Sequence, residues 1–136
     1  MSADCKRWVG IGAILGAIGV ALGAYSAHGL HHLLAEHGFA GEDLTRRLDN
    51  FETAIHYQML HAIALVLTGL ALEHRPNAAW RFAAWAFLIG IVLFSGLLKV
   101  LTFAGPSWNW LGAVVPVGGV SMIAGWVALA IGAFRR

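Results

Sequence analysis

The chain has 136 residues, of which 59% are hydrophobic and only 12% are charged, whereas soluble domains average about 25% charged residues. Together with a mean hydropathy of +0.72, this composition excludes an ordinary soluble domain and indicates a membrane protein. The formal net charge is +2, but the basic residues flank apolar runs, so we expect them to orient helices and predict no nucleic-acid partner. Cys5 is the one cysteine, which excludes an internal disulfide.

Four apolar stretches are long enough to cross a bilayer, since a spanning helix needs about 20 apolar residues. They cover residues 8–30, 54–72, 80–103 and 110–134. Glycine, proline, asparagine and charged residues separate them. The sequence therefore predicts an all-α, integral membrane four-helix bundle that forms one domain.

The first span carries small residues at helical spacing, namely Gly12, Gly16, Gly19 and Gly23. Apolar side chains gain little from touching each other in lipid, so close backbone packing at small residues drives helix association. We expect this seam to pack within the bundle; the alternative is contact with a second subunit.

Residues 42–53 lead into the second span and have an amphipathic pattern. Leu44, Leu48, Phe51, Ile55 and Met59 share one helical face. This pattern predicts a helical segment at the outer interface that continues into the second span.

The third span has a charged residue, Lys99, near its outer end. We expect its stem to lie in hydrocarbon while the ammonium reaches the headgroups. The alternative is that Lys99 points inward and pairs with Glu52.

In the fourth span, Pro116 lacks a backbone donor and predicts a kink that frees the carbonyl of Gly112. His61 or Tyr57 would then donate a hydrogen bond to that carbonyl. A second small-residue seam follows the proline and consists of Gly118, Ser121 and Gly125.

Polar and ionisable residues are concentrated in the predicted outer half of the membrane. The candidate cluster consists of His28, Glu52, His56, Tyr57, Gln58, His61 and Lys99. Hydrogen bonding between helices is the favoured interpretation, since such contacts are common in membrane bundles. A path for a small solute or a proton is the alternative.

Two pairs in this region have the i, i+4 spacing that metal ligands on one helix require: His28 with His32, and Glu52 with His56. No metal-binding motif such as HExxH accompanies them, so we predict neither a metal site nor a cofactor. No nucleophile and base have a credible spacing, so no catalytic residues are predicted.

The basic residues also predict the orientation. Six lie on one side (Lys6, Arg7, Arg75, Arg81, Arg135 and Arg136) and two on the other (Arg46 and Arg47). Basic residues tend to stay on the cytoplasmic side, which predicts that both termini are cytoplasmic.

Several short motifs resemble, in order and spacing, the YgdD-like family of small inner-membrane proteins. They are GAYSAHGL at 23–30, FETA at 51–54 followed by YQM at 57–59 and by His61, FSG at 94–96, PVGG at 116–119, and Gly125-Trp126. That family is a domain of unknown function with a eukaryotic transmembrane relative. The resemblance implies four spans in a bacterial inner membrane and supplies no catalytic residue. Lys99 and Val115 depart from the family pattern, which has a tyrosine and a threonine there.

The preferred function is that of a structural or accessory bundle, which binds membrane lipid or a partner membrane protein or associates with itself as a homo-oligomer. The alternative is a transporter of a small solute, an ion or protons that uses the polar cluster. We do not expect an enzyme.

Overall fold

Four long helices form the part of the chain that the computed structural model describes, residues 1–134. They are α1 (Ala3–Glu36), α2 (Gly41–His74), α3 (Ala78–Phe103) and α4 (Pro106–Phe134). Each is long and apolar enough to cross a membrane, which confirms the prediction of an all-α protein with four candidate spans. Arg135 and Arg136, which entered the orientation count, lie outside the described residues.

Two helix starts are capped by polar side chains of the preceding residue. The Ser2 hydroxyl accepts a hydrogen bond from the backbone N–H of Cys5 at 3.2 Å, at the start of α1. The Asn77 side chain accepts one from Ala79 N–H at 2.8 Å, at the start of α3. These bonds satisfy backbone donors that have no partner within the helix.

Helix α1 extends beyond the predicted end of the first span at residue 30. It passes through a π-helical turn at Ser26–Leu30 and continues as α-helix over His31–Glu36. The connection to α2 is therefore short. Gly38 and Gly41 have φ angles of +86° and +58°, a left-handed conformation that favours glycine and lets the chain reverse tightly.

Helix α2 has 34 residues, which corresponds to about 51 Å of helix and exceeds the roughly 30 Å of a hydrocarbon core. Residues 42–53 form its first turns, continuous with residues 54–72. Leu44 and Leu48 pack there against a buried cluster of Leu30, Leu34 and Phe51. In the structure, the apolar face of this amphipathic segment is thus covered by the extension of α1.

The helices pack as two hairpins. Helix α1 lies along α2, α4 lies along α3, and contacts between α2 and α3 join the hairpins. The largest core cluster includes Trp8, Leu65, Phe87 and Met122, one from each helix. The outward faces of α1 and α4 remain exposed and apolar.

The seam on α1 faces α2 in part. A Cβ atom added at Gly12 would lie 2.7 Å from the Ala62 carbonyl oxygen, and one at Gly19 would lie 2.4 Å from the sulfur of Met59. At Gly23 the nearest atom would be 3.9 Å away, and at Gly16 nothing lies within 4 Å. Gly12 and Gly19 are therefore the close-packing positions of this seam.

The seam on α4 faces α3. A Cβ atom at Gly118 would lie 2.4 Å from the backbone nitrogen of Phe94, and one at Gly125 would lie 2.6 Å from the Phe87 ring. Ser121 donates its hydroxyl to the carbonyl of Ala86 at 2.8 Å. Each residue of this seam thus contacts α3 closely.

The expected kink at Pro116 is replaced by a change of helix type. Residues Pro106–Ala113 form a 3₁₀ helix, and the α-helical part of α4 begins at Val115. Pro116 therefore lies in the first α-helical turn, where a missing N–H leaves no helical bond unmade. The predicted kink site is thus a junction between two helix types.

Candidate functional site

His61 is buried inside the bundle, with only 4% of its surface exposed. Its Nδ1 lies 2.8 Å from the carbonyl oxygen of Tyr57 in the preceding turn of α2. On its other side, the indole N–H of Trp126 in α4 donates to His61 Nε2 at 3.2 Å. The expected bond from His61 or Tyr57 to the Gly112 carbonyl is replaced by this contact with Trp126.

These two hydrogen bonds define the protonation of the His61 ring. A carbonyl oxygen can only accept, so Nδ1 carries the proton, and an indole nitrogen can only donate, so Nε2 is unprotonated. Both ring nitrogens are thus occupied in the neutral imidazole. The ring joins α2 to α4 and offers no free nitrogen for acid–base chemistry.

Aromatic rings surround His61 and line a shallow groove of about 380 Å³. The Tyr57 ring is stacked parallel to the imidazole, with centroids 6.1 Å apart, and also contacts Phe94 at 4.7 Å. Phe87 lies 5.5 Å from the imidazole and 5.1 Å from Trp126. This surface is mostly apolar, so it suits hydrocarbon better than a polar solute.

Gln58 forms a second connection between helices, and only 1% of its surface is exposed. Its amide nitrogen donates to the carbonyl of Leu15 in α1 at 2.7 Å, and its amide oxygen accepts from the ammonium of Lys99 in α3. Three helices therefore meet at this one side chain.

Lys99 thus points into the bundle, and the expectation that its ammonium reaches the headgroups was wrong. Its partner is Gln58, whereas the sequence had suggested Glu52 for an inward-pointing lysine. Glu52 is exposed and lies in a separate groove between α1 and α2, together with His56.

The predicted cluster therefore divides in two. Tyr57, Gln58, His61 and Lys99 lie among the contacts between helices. His28, Glu52 and His56 are exposed on the outside of the bundle.

Neither pair with metal-ligand spacing is assembled as a metal site. His32 pairs with Glu36 at 3.2 Å. Within residues 1–134, no three His, Cys, Asp or Glu side chains are grouped as metal ligands.

Arg47 is a polar residue of the bundle that the sequence reasoning missed, although it is only 6% exposed. One of its terminal amino groups, Nη1, donates to the carbonyls of Leu101, Thr102 and Ala104 at 3.2, 2.8 and 3.0 Å. Carbonyls at a helix C-terminus lack partners within the helix, so Arg47 caps the end of α3 from α2.

Asp43 and Phe39 hold Arg47 in place. The Asp43 carboxylate accepts from Arg47 Nε at 2.9 Å and also from Arg46, and the Phe39 ring lies 3.7 Å from the guanidinium carbon. Asp43 precedes the apolar part of α2, and the hydrogen bonds from Arg46 and Arg47 hold its pKa below the usual value. The i, i+4 spacing of Asp43 and Arg47 was the sequence signal for this pair.

The fold and its buried polar contacts are those of a polytopic membrane protein, with four candidate spans joined by side-chain hydrogen bonds. The chain belongs to the family described as "Protein of unknown function (DUF423)", whose model matches residues 22–119.

Relatives from bacteria match over nearly their whole length. A UPF0382 membrane protein of Haemophilus influenzae is 36% identical over 130 residues, which cover 96% of this chain and 95% of the relative. The UPF0382 membrane protein YwdK of Bacillus subtilis is 34% identical over 131 residues, which cover 96% and 98%. No solved structure matches the chain.

Proposed function

We propose that this protein is an accessory bundle of the bacterial inner membrane, without enzymatic activity, whose ligand is membrane lipid. The observation that carries the proposal is how the polar groups between the helices are used. Gln58, Ser121 and Trp126 each donate to an acceptor on another helix. Such bonds hold helices together and leave these groups engaged rather than free to pass a solute along.

The outward surface supports lipid as the ligand. Large apolar side chains are exposed along α1 and α4, including Ile14 at 63% and Val120 at 65%. In a bilayer, acyl chains cover such faces. The excess of basic residues on one side then orients the protein with both termini in the cytoplasm.

Extraction from native membranes tests the accessory role. Native mass spectrometry of the gently extracted protein should reveal retained phospholipid. If a partner membrane protein or a second copy of the chain is recovered reproducibly with it, the protein binds that partner in addition to lipid. A lone protomer with no retained lipid would contradict the proposal.

Transport is the second candidate function, and Lys99 is the observation that favours it. The ammonium lies half-buried within a predicted span and is bound to an uncharged amide, and ionisable groups inside membranes often mark a path. Reconstituted vesicles would show a flux that falls in His61→Ala and Lys99→Met if transport is the activity. A wild-type flux equal to that of empty vesicles, or a flux that is unchanged in the variants, would reject it.

A further inference from the structure

A cavity of about 370 Å³ opens between the outer ends of α2 and α3 and the 3₁₀ turn of α4. Four polar side chains line it: Arg46, Arg47, Asn50 and Asn109. Its apolar wall includes Leu98 and Val115. Cationic and amide donors thus lie beside an apolar wall.

The charge at this cavity is positive although the surrounding segment is acidic. Arg46 and Arg47 share one carboxylate partner, Asp43. Of the other carboxylates of the segment, Glu42 and Asp49 line an adjoining groove that shares Arg46 and Asn50 with the cavity, and Glu52 lines the groove against α1.

Donors remain available in the cavity. Among the described residues, the terminal amino group Nη2 of Arg47 makes no hydrogen bond, because the bonds of this side chain come from Nε and Nη1. The Arg46 side chain is 62% exposed, so it can turn from Asp43 toward a ligand. Arginine's planar set of N–H donors matches phosphate oxygens.

The depth of the cavity relative to the membrane indicates the source of the ligand. Arg47 caps the end of α3 here, and Trp108 and Trp110 are exposed at 51% and 63% on the adjacent 3₁₀ turn. Exposed tryptophans typify the membrane interface. A ligand at this level has headgroups beside it and acyl chains below it.

We infer that this cavity binds the phosphate of a phospholipid, with Arg46, Arg47 and Asn109 at the headgroup and Leu98 and Val115 against the first part of the acyl chains. The inference rests on the proposed lipid-binding function and deepens it by naming the site and the headgroup chemistry. Free phosphate shares the anion chemistry, but it would leave the apolar wall uncovered.

The test is binding of defined lipids to the full-length protein after lipid depletion in detergent, measured by native mass spectrometry. The probes are phosphatidylglycerol, diacylglycerol with the same chains, and inorganic phosphate as competitor. Arg46→Gln and Asn109→Ala should each raise the apparent Kd for phosphatidylglycerol by about five-fold. Arg7→Gln, which removes an exposed arginine near the start of α1, should leave it unchanged. Circular dichroism checks that the variants remain helical.

Three results would overturn the inference. They are an unchanged Kd in both cavity variants, equal binding of diacylglycerol, which has no phosphate, and displacement of the lipid by an equal concentration of inorganic phosphate. Lipid that stays bound equally in all variants would reject this site while leaving the accessory function intact. A wild-type protein that binds no lipid would contradict both.

Discussion

Trp126 donates its indole N–H to Nε2 of His61 at 3.2 Å, which links α4 to α2. Since α4 otherwise packs along α3, this bond ties the second hairpin directly to α2. The arrangement gives a buried histidine a structural role.

Trp126→Phe should destabilise the protein by about 1 kcal/mol, because it leaves His61 Nε2 without a donor in an apolar environment. Reversible unfolding in mixed micelles measures this change. Trp110→Phe is the matched control, since Trp110 is similarly exposed (63%, against 50% for Trp126) and the bond to His61 comes from Trp126. Equal stabilities of the two variants would argue against a structural bond at Trp126.

Gly12→Ala should destabilise the α1–α2 hairpin by about 1–3 kcal/mol. The added methyl group would meet the Ala62 carbonyl oxygen at 2.7 Å, and backbone cannot move aside as a flexible side chain can. Gly16→Ala, one turn away and with nothing within 4 Å, should leave stability nearly unchanged. The same unfolding assay compares them.

A result in which Gly16→Ala is the more damaging variant would contradict this packing. Size-exclusion chromatography with light scattering would then show whether Gly16 contacts a second copy of the chain.

Arg47→Gln should destabilise the protein by about 2–4 kcal/mol, because three carbonyls at the end of α3 lose a charged donor and Asp43 loses its buried partner. Arg46→Gln serves as control and should change stability by less than about 1 kcal/mol, as for an exposed ion pair. Hydrogen exchange should also quicken at the end of α3 in Arg47→Gln only. Similar effects of both substitutions would contradict the capping role.

Gln58 and Lys99 should behave as a coupled pair. Gln58→Leu leaves the Lys99 ammonium without its amide partner, so it should be more destabilising than the double variant Gln58→Leu/Lys99→Met. A double-mutant cycle should give a coupling of about 1 kcal/mol or more. Additive effects would show that the two side chains do not interact.

Apolarity alone predicted the four helices, because each span must carry about 20 apolar residues whatever its neighbours are. The role of Gly12, Gly118 and Gly125 as helix-packing positions could also be predicted, since close packing of helices in lipid favours small residues. Helical spacing gives the face on which a residue lies but not the helix opposite that face. The partner of His61 could therefore not be read from the sequence.

Arg47 and Lys99 show where patterns mislead. Arg47 entered the sequence analysis only in the orientation count, and Lys99 was expected to reach the headgroups. Each finds acceptors on another helix: backbone carbonyls for Arg47 and the Gln58 amide for Lys99. Pro116 was expected to kink the fourth helix because the apolar residues before it were predicted to be α-helical. These residues form a 3₁₀ turn instead. These features depend on tertiary contacts and on the local helix type, which periodicity does not specify.

Solid-state nitrogen NMR of His61 and Trp126 in lipid bilayers tests most directly whether the interior polar groups serve to join helices. We expect a neutral imidazole with its proton on Nδ1, an unprotonated Nε2 close in space to the Trp126 indole N–H, and slow exchange of that N–H with deuterated water. A proton on His61 Nε2, or an indole N–H that exchanges as fast as that of Trp110, would contradict the account.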